Sequence, residues 1–272
     1  MGFFERLAKL ELEGGKAVIA TVIRTSGSVP RSAGTKMLIL ADGTREGTIG
    51  GGEMEAGIIQ LARQVLQDGE PRIHTYTFKD WGKAKEGESR GEMEIFIEPL
   101  NPSPKLVVIG MGHVGKAVAH LGAWLGFQVV IIDDRAGCTT PEAVPEAHER
   151  MLCEPADFAA ATVIHEETYV VMTTRDLEID LQVLPALLDS PAAFIGVIGA
   201  SRRWETTAAQ MIERGIPADE LARVNSPIGL DLKAETPEEI AVSILAQIIM
   251  VRGGGTGERM AHSPDFVRES EV

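Results

Sequence analysis

Leu106-Val107-Val108-Ile109-Gly110-Met111-Gly112-His113-Val114-Gly115 is the stretch that decides the fold of this chain. It opens with a short β-branched apolar run, the composition of a buried strand. It then passes through G-x-G-x-x-G into a helical stretch from about His113 to Leu125, and a second apolar run, Val129 to Asp133, follows. The segment therefore reads as a βαβ unit. In that context Gly110 permits the tight turn, Gly112 lets the backbone approach a pyrophosphate, and Gly115 allows close helix packing, while the helix N-terminus favours negative charge. Asp133 ends the second strand, where an acidic side chain commonly holds a ribose hydroxyl and disfavours a 2′-phosphate. Gly110, Gly112, His113, Gly115 and Asp133 are thus candidate dinucleotide contacts. The blander alternatives are a Rossmann shape without a ligand and, for His113, a ring satisfied by a backbone carbonyl.

Downstream, apolar segments at Tyr169 to Thr173 and Phe194 to Ile198 alternate with helical stretches, which predicts a parallel sheet covered on both faces. Thr173-Thr174-Arg175-Asp176 and Gly199-Ala200-Ser201-Arg202-Arg203 follow those strands at their carboxyl ends, the edge where ligands sit in open α/β sheets. Arg175, Ser201 and Arg202 are candidate contacts there, although surface charge pairing would explain the arginines equally well. The last helix starts at Thr236-Pro237-Glu238-Glu239, a capping box with Pro at the first helical position, and carries Ile240, Ile244, Leu245, Ile248 and Ile249 inward. It stops near Gly253, leaving 254–272 as a loose tail.

Upstream, three prolines between Glu98 and Pro104 predict a stiff linker over 99–104. The fold class is therefore α/β: an N-terminal α+β domain, 1–98, followed by a Rossmann-like parallel-sheet domain, 105–253. Strands are expected over Lys16 to Arg24, Lys36 to Ala41, Arg72 to Phe78 and Met93 to Ile97, with a mobile loop over Lys79 to Gly91. Met54, Ile58, Leu61 and Val65 form the stripe of an amphipathic helix. Gly47-Thr48-Ile49-Gly50-Gly51-Gly52 leads straight into it. Gly50, Gly51 and Gly52 could expose backbone N–H groups to an anion or admit a flat ring, and a floppy turn would account for them as well. Thr25-Ser26-Gly27-Ser28-Val29-Pro30-Arg31 offers Ser28 and Arg31 as a phosphate clamp, or is an ordinary exposed turn.

Composition narrows the classes. With 272 residues, 44% hydrophobic and 24% charged, the chain can bury one large core or two modest ones. A net charge of -14 disfavours nucleic acid and anionic membrane surfaces as partners. No apolar run approaches the roughly 20 residues of a membrane helix, and Met1-Gly2-Phe3-Phe4-Glu5-Arg6 lacks the apolar stretch of a signal peptide. Two cysteines, Cys138 and Cys153, suit a reducing cytoplasm and offer no metal-ligand spacing. No H-E-x-x-H, G-x-S-x-G or Walker lysine occurs.

Read together, G-S-V-P-R-S-A-G-T-K-M at Gly27 to Met37, G-T-I-G-G-G-E-M-E at Gly47 to Glu55, I-F-I-E-P-L at Ile95 to Leu100, G-M-G-H-V-G, D-D-R at Asp133 to Arg135, and G-L-D-L-K-A-E-T-P-E-E-I-A-V-S-I at Gly229 to Ile244 resemble the XdhC/CoxI family. These are accessory proteins of molybdenum hydroxylases such as xanthine dehydrogenase. The resemblance implies binding of the molybdenum cofactor, as molybdopterin or molybdopterin cytosine dinucleotide, help with its sulfuration, and insertion into an apo molybdenum hydroxylase. It also implies a cysteine desulfurase as sulfur source and leaves room for a homodimer. Glu55 is kept from the family pattern and joins the candidate cofactor contacts. Glu53 stands where the family commonly has cysteine, and a second family cysteine is missing near Arg90 to Met93. The chain then reads as a chaperone rather than an enzyme. The alternatives are an NAD-dependent oxidoreductase and a nucleotide-sensing module without catalysis.

Overall fold

A computed structural model describes residues 2–78 and 91–260. The expected loop therefore falls outside the described residues except at Gly91, as does the tail beyond 260; its first part, 254–260, is exposed coil. The chain divides between Ser103 and Pro104 into two units.

The first unit contains α1 (Phe3–Glu13), β1 (Ala17–Ser26), β2 (Lys36–Leu40), β3 (Arg45–Gly47), α2 (Gly52–Asp68), β4 (Arg72–Thr77) and β5 (Glu92–Leu100). Its five strands form an antiparallel sheet in the order β3-β2-β1-β5-β4. Met54, Ile58, Ala62 and Val65 of α2 pack with Val18, Ala20, Met37 and Ile95 on one face of that sheet. Leu10 of α1 covers Ala17 and Leu38 on the other. The sequence reading did not include α1, and it placed Pro99 in a linker. Instead β5 runs on through Pro99, opposite Val18 and beyond its last pairing with β4 at Ile97–Arg72, where that edge of β5 has no partner among the described residues.

The second unit contains β6 (Lys105–Ile109), α3 (His113–Trp124), β7 (Gln128–Asp133), β8 (Glu149–Leu152), β9 (Thr168–Met172), α4 (Leu177–Leu188), β10 (Phe194–Val197), α5 (Ser201–Glu213), α6 (Ala218–Leu221), β11 (Val224–Asn225) and α7 (Pro237–Gly253). Its six strands are all parallel, in the order β11-β10-β9-β6-β7-β8. Successive strand residues point to opposite faces. Val107 and Ile109 therefore pack with α4 and α5, whereas Leu106 and Val108 pack with α3 and α7. From β6 the chain winds outward to β7 and β8, and from β9 it winds the other way to β10 and β11. The order thus reverses between β6 and β9, and a crevice opens at their carboxyl ends. The Thr236–Glu239 capping box opens α7. Ile249, expected inward, is 42% exposed.

Candidate functional site

At the Rossmann edge, Gly110 has a φ of +94°, and a Cβ there would stand 2.7 Å from the Thr173 carbonyl oxygen. Only glycine tolerates both conditions. A Cβ on Gly115 would collide with the Gly110 carbonyl and lie 2.7 Å from Thr173 Oγ1, whose hydroxyl donates to that carbonyl. The end of β6, the first turn of α3 and the end of β9 thus interlock. Gly112 differs: among the described residues, beyond its chain neighbours, nothing lies within 4 Å of where its Cβ would stand. It is the N-cap of α3, so the N–H groups of Gly112, His113 and Val114 have no acceptor within their own helix.

Asp133 does not present its carboxylate to this space. Its side chain is 1% exposed. Oδ2 accepts the Met111 N–H at 2.6 Å and Arg135 Nη2 at 2.7 Å, and Oδ1 accepts Arg135 N and Nε at 2.9 and 2.8 Å. Burial alone would raise this carboxyl, but the Arg135 and Met111 hydrogen bonds outweigh it and hold it below its ordinary value. The carboxylate expected to hold a ribose hydroxyl is thus engaged by its own loop in this structure. Asp134 next to it takes Arg175 in a two-bond fork, Nη1 to Oδ1 at 2.8 Å and Nη2 to Oδ2 at 2.6 Å. Those bonds hold the Asp134 carboxyl down at about 2. A cavity of about 80 Å³ remains between Gly110, Gly112, Asp133, Asp134, Thr173 and Arg175.

The other candidates of this unit lie apart from that cavity. Ser201 and Arg202 are exposed at the start of α5. It is Arg203 that turns inward, giving Nε to Asp180 at 3.1 Å, Nη1 to the Thr174 carbonyl at 3.1 Å, and Nη2 to Thr174 Oγ1 and the Asp176 carbonyl at 2.9 Å each. Sequence reasoning missed Arg203. The available signal was Asp180, an acid within the apolar run Leu177–Leu188; the fold buries it fully, and a buried carboxylate requires a cation nearby. His113 faces a separate, largely apolar groove of about 540 Å³ between α3 and α7, shared with Lys116, His120 and Val242. There His120 Nδ1 lies 2.7 Å from Glu146.

In the first unit Gly50, Gly51 and Gly52 have φ of +144°, +83° and +66°. Three successive positive φ values account for three successive glycines. Glu55, only 3% exposed, closes the loop from inside. Its Oε1 accepts the N–H groups of Ile49, Gly50 and Gly51 at 3.0, 3.2 and 2.8 Å and the Thr48 hydroxyl, and Arg45 Nη1 stands 3.3 Å from Oε2. Burial would raise this carboxyl, but those donors outweigh it and hold it low. The donors of Gly50 and Gly51 are thus spent on Glu55 rather than on an external anion. Among the described residues, nothing lies within 4 Å of where a Cβ on Gly51 or Gly52 would stand. A Cβ on Gly50 would stand 2.7 Å from Pro30 Cγ, so the loop bearing Ser28 and Arg31 lies against the glycines, with both of those side chains exposed.

Among the described residues, no cluster of three or more His, Cys, Asp or Glu side chains is placed to hold a metal ion, and no helix is long and apolar enough to cross a membrane.

Residues 106–248 match the XdhC Rossmann domain, and residues 10–77 match the XdhC and CoxI family. The chain is 33% identical over 262 residues to the uncharacterised protein YqeB of Escherichia coli (strain K12), covering 96% of this chain and 48% of that one. It is 29% identical over 158 residues to a Bacillus subtilis (strain 168) protein named as a probable subunit of xanthine dehydrogenase, covering 58% and 46%. The chain therefore spans about half the length of these two relatives. To PaoD of Escherichia coli (strain K12), named a molybdenum cofactor insertion chaperone, it is 23% identical over 277 residues, covering 91% and 87%. A crystal structure described as a xanthine dehydrogenase from Bacillus halodurans shares the fold, with a TM-score of 0.51 and 22% identity over 97% of this chain and 99% of that one. The chain belongs to the XdhC/CoxI family.

Proposed function

We propose that this chain is a cytoplasmic accessory protein that binds the molybdenum cofactor, as molybdopterin or its cytosine dinucleotide, and delivers it to an apo molybdenum hydroxylase of the xanthine dehydrogenase type. The observation that carries this reading is the end-to-end likeness to PaoD, which covers 91% of this chain. The Rossmann edge supports it. Gly112 leaves room for close approach, the first N–H groups of α3 have no helical acceptor, and Arg175 stands beside them. Those groups would hold the phosphate or pyrophosphate of the cofactor. Its molybdenum chemistry is exercised in the recipient enzyme, and the residues of this chain bind, orient and shield it. The sulfur of a sulfurated cofactor would come from a partner cysteine desulfurase, because the Glu53 carboxylate cannot carry a persulfide.

Anaerobic purification, release of the ligand and mass spectrometry test the binding. A pterin phosphate is the expected product, and the same preparation should activate an apo-hydroxylase that free cofactor activates poorly. A chain that copurifies with a nicotinamide dinucleotide and leaves the apo-hydroxylase inactive would replace this reading with the oxidoreductase one.

A further inference from the structure

Sheet order places β6 between β7 and β9. Asp134 follows the end of β7 and Arg175 follows the end of β9. Their two-bond ion pair therefore passes over the carboxyl end of β6, in front of the Gly110–Gly112 turn, and both residues line the small cavity there. At about 80 Å³, that cavity is well below the roughly 300 Å³ at which ligand pockets begin. The arginine is 48% exposed while its partner is 15% exposed, so the guanidinium can be reached from solvent. The neighbouring Asp133–Arg135 pair is neutral as well, so both carboxylates that line the cavity among the described residues are engaged by arginines. Phosphate groups match the guanidinium fork as a carboxylate does, and carry more charge and more acceptor oxygens.

We propose that Arg175 is the anion-reading residue of this crevice, held by Asp134 as a latch in the free chain and handed over to a phosphate or pyrophosphate group when a ligand binds. The inference rests on the Rossmann edge being the ligand site, and it adds which residue selects the ligand and what the ligand must displace. The low pKa of Asp134, about 2, agrees with a carboxylate that keeps its charge while it holds the arginine.

The test is calorimetric titration of the full chain with inorganic pyrophosphate. Asp134→Asn removes the two-bond partner of Arg175, leaving Asp176 3.6 Å from its Nε, and should bind about ten-fold tighter than the parent chain, while Arg175→Met should bind about ten-fold weaker. The double variant should match Arg175→Met, because Asp134 acts only through the arginine. If the double variant recovers the gain of Asp134→Asn, the carboxylate acts by repelling the anion directly and the latch is overturned. If Gly112→Val loses pyrophosphate but Asp134→Asn binds like the parent, the site stands and the latch falls. If neither the parent chain nor Asp134→Asn binds pyrophosphate, both fall together. Melting curves for each variant separate lost binding from lost folding.

Discussion

Arg135 lies along Asp133, its own neighbour two positions back, with Nε 2.8 Å from one carboxylate oxygen and Nη2 2.7 Å from the other. The acid that ends β7 is therefore a structural acceptor. Asp133→Asn removes the charge that holds Arg135 while keeping an acceptor for Met111, and is expected to cost about 1–3 kcal/mol of stability. Thermal melting measures that cost. The same geometry predicts that the isolated chain produces no NADH with small oxidisable substrates. Saturable NADH production that disappears in Asp133→Asn at unchanged melting temperature would contradict both statements.

Gly112 and Gly115 belong to one motif and should fail differently. Gly112→Val points its side chain into open space, so the melting temperature should hold while phosphate binding is lost. Gly115→Ala drives a methyl group against the Gly110 carbonyl and Thr173 Oγ1 and should cost about 3 kcal/mol through overpacking. Equal melting losses in the two variants would mean that the motif is purely architectural.

The βαβ unit was legible because a buried parallel strand is a continuous apolar run and the glycines sit where backbone contact forces them. Both conditions are local to the sequence. Pairings across the sheet were not: Arg175 meets Asp134 from 41 positions away, and nothing in either segment names the other. Arg202 and Arg203 follow the same strand end, and only the burial of Asp180 on α4 decides which one turns inward. Whether the glycine loop offers free donors or is an ordinary turn stays open in the sequence, because Glu55 lies in the first turn of α2 and sequence alone does not say which way its carboxylate folds.

Glu53 and Glu55 are two residues apart and should differ sharply. Glu55→Ala strips the acceptor from three buried or half-buried N–H groups and the Thr48 hydroxyl, for an expected loss of about 2–4 kcal/mol. Glu55→Gln keeps the size but places a neutral acceptor there and should recover only part of that loss. Because the folded-state carboxyl is held low, its contribution is complete above the unfolded value of 4.5 and fades as pH falls below it.

Glu53, exposed in the first turn of α2, takes no part in the Glu55 network. Glu53→Cys should leave stability within about 0.5 kcal/mol. It should also create a thiol at a helix N-terminus, where the thiolate is favoured. Incubation with a cysteine desulfurase and cysteine should then load sulfur on the variant but not on the parent chain. Sulfur carried equally by both would move that role to Cys138 or Cys153.

His165 gives the second unit a pH dependence separate from its carboxylates. Its ring is 6% exposed, Nδ1 accepts the Glu167 N–H at 3.2 Å, and Nε2 is buried without a partner among the described residues. Burial, with the Lys105 ammonium second, pushes its pKa from 6.5 down to about 4. Between those values the unfolded chain binds a proton that the folded chain refuses, so stability rises with pH across that window and is lost as pH falls from 6.5 towards 4. The loss is of the order of 2 kcal/mol. His165→Gln keeps an acceptor for Glu167 and cannot charge. Urea-unfolding curves between pH 4.5 and 7 should therefore slope less steeply with pH for the variant than for the parent. Equal slopes would mean that the ring takes up its proton without unfolding, through a rearrangement that brings Nε2 to an acceptor.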